Sequence, residues 1–161
     1  MTAVSNSSPL ILFSRIGRLH LLRTLFDELL VPPAVWHEVV TVGLGRAGQQ
    51  ELEQADWIRR RELPWSEVPA TFAFLDPGEA QALALASTLG AAVPILIDDE
   101  RARRVAEASG LFPIGCGGIV VRAKETGLVS SVRPHLVELR SAGLFLGDRA
   151  FRRVLERANE L

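Results

Sequence analysis

Four residues, Pro94-Ile95-Leu96-Ile97, run apolar and unbroken into three acids, Asp98-Asp99-Glu100. A strand that alternates could leave one face in water, but this one has no polar face. It belongs inside a sheet covered on both sides, the usual setting of a parallel sheet with helices on its two faces. Parallel strands need long crossovers, so the rest of the chain should alternate strand with helix.

It does. Residues 2–5 read as a first strand, and Ser7 to Ile16 as a helix with Pro9 tolerated in its opening turn and Gly17 closing it. A short helix covers 19–26, and Glu28 to Val31 is a second strand. Pro32-Pro33 opens a helix running to Val40. Gly43, Gly45 and Gly48 predict a flexible segment before a polar helix from Gln49 to Ala55, and Trp57 to Leu63 alternates enough for a strand. Asp76-Pro77-Gly78-Glu79 opens the clearest helix, with Ala80, Leu83, Ala84 and Ala86 as its apolar face and Gly90 at its end. After 94–97 come a helix from Arg101 to Ser109, a strand at 112–115 and a helix from about Ile119 to Glu125. Helices near 132–141 and 149–159 complete the chain. This order predicts an α/β fold: a three-layer α/β/α sandwich with a mainly parallel central sheet. Residues 1–161 read as a single domain, with a C-terminal helical extension over about 131–161.

Composition narrows the function. At 161 residues, 48% apolar and 23% charged, the chain can bury a sizeable core. A formal net charge of −1 excludes a global basic field, so contact with nucleic acid has to come from a local patch. Of 18 basic residues only Lys124 is a lysine. Arginine suits bidentate phosphate contacts, but genome composition equally produces such a skew. The single cysteine, Cys116, excludes an internal disulfide framework. There is no basic–apolar leader, and no apolar run approaches the ~18 residues of a membrane span. A cytoplasmic protein without membrane contact is expected.

Parallel sheets bind ligands at the carboxyl ends of their strands, and polar residues gather there. The strand 2–5 points at Asn6, and the strand 94–97 at Asp98 and Asp99. Glu79 lies in the first turn of its helix, and Glu38 on the helix after the second strand. A set of oxygen donors is what Mg²⁺ or Mn²⁺ requires, and such an ion supports phosphodiester hydrolysis. Each residue also has a plainer role. Asp76 and Glu79 have the spacing of a capping pair, Asp98 or Asp99 can cap the next helix, Asn6 can cap the first, and Glu38 can simply face solvent.

The stretches Val4-Ser5-Asn6-Ser7-Ser8-Pro9-Leu10-Ile11, Val31-Pro32-Pro33-Ala34-Val35-Trp36-His37-Glu38-Val39, Leu75-Asp76-Pro77-Gly78-Glu79-Ala80-Gln81-Ala82 and Ile95-Leu96-Ile97-Asp98-Asp99-Glu100-Arg101-Ala102-Arg103 follow one another in that order. In this the chain resembles PIN-domain proteins, above all compact prokaryotic members close to VapC-type toxins. The resemblance covers nearly the whole chain, including Ile114-Gly115-Cys116-Gly117-Gly118 and Ser131-Val132-Arg133-Pro134. It implies an α/β/α endoribonuclease that hydrolyses RNA with Mg²⁺ or Mn²⁺ held by clustered acids. It also implies a small antitoxin protein that blocks the site, and a homodimer, a form the family often takes.

Position by position, Glu38 matches the family's acid on the third helix and Glu79 the acid opening the central helix. Asp98 and Asp99 together match the acid after the later strand, either being the principal ligand. Ser8 matches a small hydroxyl residue near the first acid. Asn6 stands where the family has its first aspartate, so the implied metal site is present with Asn6 as a weakened ligand. A catalytically impaired module that binds nucleic acid or a partner protein is the alternative class, and a nucleotide-binding α/β domain a third.

Arg101, Arg103 and Arg104 follow Asp98-Asp99 in the first turns of a helix and are the best candidates for RNA phosphate. Arg59-Arg60-Arg61 and Arg149/Arg152/Arg153/Arg157 read as solvated faces. Gly115-Cys116-Gly117-Gly118 lacks dinucleotide-fingerprint spacing, His37-Glu38 lacks the second histidine of a zinc-protease motif, and no G-x-S-x-G elbow is present. Cys116 reads as a small core residue.

Overall fold

The computed structural model of the chain describes residues 1–42 and 49–161. Strands β1 (Thr2–Ser5), β2 (Glu28–Val31), β3 (Ile58–Arg60), β4 (Pro94–Leu96) and β5 (Phe112–Ile114) form one sheet in the order β3-β2-β1-β4-β5. Every neighbouring pair is parallel. Val4 pairs with Leu30 on one side and Ile95 on the other. All three residues of β4 are buried, as its unbroken apolar run requires. Leu29, Ile95, Leu96 and Ile97 are fully enclosed, and burial of each such side chain contributes roughly 1.5–3 kcal/mol.

The helices are α1 (Ser7–Arg15), α2 (Leu19–Leu25), α3 (Pro33–Trp36), α4 (Gln49–Gln54), α5 (Pro77–Leu89), α6 (Glu100–Ala108), α7 (Cys116–Glu125), α8 (Arg133–Ser141) and α9 (Asp148–Arg157). Helix α1 packs with α2 and α4, and α2 with α7. Helix α5 lies against β1 and β4, α6 against β5, and α3 against α5. The expected three-layer α/β/α arrangement with a parallel sheet is what the chain forms. Helices α8 and α9 both pack on α7. Gly17 and Gly90 end α1 and α5 with φ of 69° and 107°, a region that favours glycine.

The strand order places the site. From β1 the chain steps to β2 and β3, then returns across the sheet to β4 and continues outward to β5. The direction of winding therefore reverses between β1 and β4, and the crevice beyond their carboxyl ends is the natural ligand position. The Asn6 amide donates to the Leu96 carbonyl at 2.9 Å, tying the two strand ends together just below that crevice.

Several boundaries differ from those expected. The helix expected to run to Val40 is α-helical only over Pro33–Trp36 and then widens into a π-helical stretch, His37–Val42. The strand expected over 57–63 is confined to Ile58–Arg60, and 3₁₀ turns at Trp65–Glu67 and Ala70–Phe72 follow. Helix α7 begins at Cys116 rather than near Ile119, because a carboxylate from the end of β4 satisfies the otherwise unpaired amide of Cys116. Helix α6 begins one residue before Arg101. The glycine segment at 43, 45 and 48 lies outside the described residues.

Candidate functional site

Helix α5 opens at the crevice with Asp76 before it and Pro77 in its first turn. The residue that matters for the approach of other elements is Gly78. A Cβ there would lie 3.2 Å from Glu38 Oε2 and 3.4 Å from Asn6 Oδ1. Bare backbone at this point lets an acid from the stretch after α3 and an amide from the end of β1 come together over α5. Gln81, buried one turn on, holds the two helices in that relation. Its Oε1 accepts the Ala34 amide at 2.8 Å, and its Nε2 donates to the Leu63 carbonyl at 3.0 Å. The start of α3, and with it the base of the Glu38 turn, is thereby pinned to α5.

Asn6 occupies the N-cap position of α1 in extended conformation, yet its side chain makes no capping bond. The residue is 5% exposed, and its Oδ1 is buried without a partner among the described residues. A buried amide oxygen left unpaired costs about 1–3 kcal/mol. The simple capping role is therefore excluded for Asn6, whose oxygen is turned toward Gly78 and Glu38. Ser8 sits half-buried in the first turn of the same helix.

The Glu79 carboxyl has its pKa pushed up to about 7. Partial burial is the main cause, followed by the negative charges of Asp99 and Asp76, a hydrogen bond with Asp76, and the charge of Glu38. Asp76 makes no side-chain capping bond, so the expected capping pair is instead two carboxyls acting on each other.

The adjacent acids Asp98 and Asp99 diverge. Asp98 turns to the start of α7, where Oδ1 accepts the Cys116 amide at 2.7 Å and Oδ2 the Cys116 thiol at 2.9 Å. Burial raises the Asp98 pKa, opposed by these two bonds and by the charge of Arg103. Burial likewise raises the Cys116 thiol, reinforced by the Asp98 charge. Asp99 is exposed, caps α6 by accepting the Ala102 amide at 2.8 Å, and is the main negative charge opposing ionisation of Glu79.

The three arginines of α6 also have separate surroundings. Arg103 is half-buried beside Gly115 and Asp98, and Arg104 forms an exposed ion pair with Glu100 at 2.6 Å. The Arg101 guanidinium lies over the Phe74 ring, 4.4 Å from its centroid. Arg59 and Arg60 pair with Glu28 and Glu62, as a solvated face does.

The sequence predicts Asn6, Glu38, Glu79, Asp98 and Asp99 at one edge. Asn6 and Glu38 approach Gly78 at the start of α5, the charge of Asp99 acts on Glu79, and Asp98 is turned instead to Cys116. Sequence reasoning did not anticipate Asp76 as a partner of Glu79, Gln81 as the brace, the Asp98–Cys116 contact or the Phe74–Arg101 stack. The one available signal was Gln81, a lone amide inside the apolar run of α5.

Among the described residues, no three His, Cys, Asp or Glu side chains gather closely enough to hold a bare metal ion. The donors do fit a hydrated one. Mg²⁺ and Mn²⁺ favour oxygen, and Mg²⁺ keeps several waters while touching only one or two carboxylates. The orphaned Asn6 Oδ1 and the crowded Glu79 carboxyl, with Glu38 and Asp99 beside them, supply that kind of oxygen donor.

No helix among the described residues is long and apolar enough to cross a membrane. Searches of curated proteins and of solved structures found no match to the chain. A family model described as a PIN domain matches residues 2–160. PIN domains have a nuclease-type fold, act on nucleic acid and generally use divalent metals. With the match spanning nearly the whole sequence, the chain belongs to the PIN-domain family.

Proposed function

We propose that this PIN domain is a Mg²⁺- or Mn²⁺-dependent endoribonuclease of VapC type. In this reading it is the toxin of a toxin–antitoxin pair, acts on RNA in the cytoplasm and is blocked by a small antitoxin protein. Residues 1–161 work as one domain, with α8 and α9 as its C-terminal extension and a homodimer as the functional form.

The observation that carries this reading is the raised Glu79 carboxyl, whose ionisation is opposed by Asp99, Asp76 and Glu38. A bound divalent cation relieves such crowding. Glu38, Glu79 and Asp99 are assigned as ligands, and Asn6 as a weakened one through its carbonyl oxygen. Asp98, with both oxygens engaged by Cys116, positions Asp99 by fixing the end of β4 against α7.

The ion, when bound, supplies charge for the phosphate oxygens and lowers the pKa of water. Glu79 gives up its proton next to Asp76 as the site becomes charged. Arg101 offers positive charge to the RNA phosphates and Ser8 a hydroxyl at the start of α1, while Arg103 is directed to Asp98. Water forms a new P–O bond as one bridging P–O bond of the phosphodiester breaks. Its proton ends on the departing oxygen, leaving a phosphate on one fragment and a hydroxyl on the other.

The amide at position 6 favours a second reading, an impaired module that holds RNA or a partner protein in the same crevice. An RNA cleavage assay separates the two. Cleavage that requires Mn²⁺, stops with EDTA and is lost in Asp99→Ala and Glu79→Gln supports the nuclease. RNA retention without cleavage supports the binding module. Nucleotide affinity that persists in EDTA would contradict both.

A further inference from the structure

Phe74 is an aromatic side chain that the core does not use. It is 51% exposed, although Phe72 and Leu75 beside it are buried. The turn is therefore anchored on both sides, and the ring stands out from a fixed base. One face of the ring carries the Arg101 guanidinium at 4.4 Å.

The position of this pair is informative. Phe74 lies two residues before Asp76, which opens α5, and Arg101 lies two residues after Asp99, which caps α6. The stack thus bridges the two elements whose carboxylates act on Glu79. Of the three α6 arginines, Arg104 is held by Glu100, and Arg103 is turned toward Asp98 and Gly115. Among the described residues Arg101 forms no ion pair, and its charge is free for a phosphate.

We propose that Phe74 and Arg101 form a stacking platform for one unpaired base of single-stranded RNA, set at the mouth of the carboxylate crevice. This inference rests on the ribonuclease reading and specifies its substrate. An aromatic ring and a guanidinium plane both accept the flat face of a base, while the guanidinium also attracts the adjoining phosphate. In a duplex those base faces are covered, so the platform selects unpaired segments. Stacking is tolerant of base identity, so it positions the strand without reading a sequence, with purines favoured by their larger face.

Fluorescence anisotropy with a 5′-labelled adenylate octamer tests this, with Mn²⁺ present and each sample run on a denaturing gel so that only intact probe is read. The same octamer carrying one abasic position, moved along the strand, is the second probe. Phe74→Ala is expected to bind the full octamer about tenfold more weakly, and Phe74→Trp at least as tightly as the native chain. At one position the abasic change should weaken native binding by a similar factor and leave Phe74→Ala unaffected. Equal affinity of native and Phe74→Ala chains overturns the platform alone and assigns the ring to a protein contact. An equal loss in Phe74→Ala for the full octamer and every abasic one also overturns it, since no base is then being stacked. Failure of the native chain to bind any octamer overturns the ribonuclease reading and the platform with it.

Discussion

The carboxylate of Asp98 grips the start of α7 with both oxygens, one on the Cys116 amide at 2.7 Å and one on the Cys116 thiol at 2.9 Å. This contact separates two acids that are adjacent in the chain. Asp98 is used in joining β4 to α7, and Asp99 is left to face Glu79. The β4–α6 turn is therefore a fixed mount for one carboxylate.

Cys116→Ala removes the thiol donor and leaves one part-buried Asp98 oxygen without its partner. Thermal or denaturant unfolding should show a loss of about 1–3 kcal/mol. Cys116→Ser keeps a donor and should lose less. An alanine variant as stable as the native chain would mean that the thiol bond contributes nothing.

Gly78→Ala tests the approach of Glu38 and Asn6 over α5. The new methyl would press on Glu38 Oε2 at 3.2 Å and Asn6 Oδ1 at 3.4 Å. Glu38 is exposed and can swing away, and alanine is favoured over glycine within a helix by roughly 0.5–1 kcal/mol. The variant should unfold at the same temperature as the native chain or higher, yet bind Mn²⁺ more weakly in calorimetry. Unchanged Mn²⁺ affinity would place the ion elsewhere.

Glu79 makes stability depend on pH in a defined direction. Its pKa in the folded chain is about 7 against an ordinary 4.5. Between those values the folded state binds more protons than the unfolded state, so stability falls as pH rises through that window. Glu79→Gln should abolish this slope and be more stable than the native chain above pH 7. Mn²⁺ binding near pH 7 should also release a proton, seen as a calorimetric heat that varies with the buffer's ionisation enthalpy. A heat independent of buffer would contradict the assignment.

The sheet was legible because burial on both faces leaves a direct mark on composition. Pro94-Ile95-Leu96-Ile97 has no polar alternate and forms the buried β4 beside β1. Asp76-Pro77-Gly78-Glu79 carries its helix start in local chemistry, and α5 begins there. What adjacency cannot encode is direction. Asp98 and Asp99 differ only in which neighbour each meets, and that neighbour, Cys116, is 18 residues away. The π-helical stretch carrying Glu38 was read as ordinary helix, since the period of a short apolar pattern does not distinguish the two. The brace at Gln81 joins the start of α3 and the carbonyl of Leu63, partners that only the packed fold brings together.

The most direct measurement is a calorimetric titration of Mn²⁺ into the native chain, Asn6→Asp and Glu79→Gln side by side. At ~4 Å and an effective dielectric of about 20, two unit charges interact by roughly 4 kcal/mol before solvent compensation. A net gain of even ~1.4–3 kcal/mol from restoring the carboxylate is roughly a tenfold to over a hundredfold tightening. The expected result is weak binding by the native chain, at least tenfold tighter binding with faster RNA cleavage by Asn6→Asp, and no binding by Glu79→Gln. Identical Mn²⁺ titrations for all three chains would contradict a metal-dependent nuclease site at this crevice.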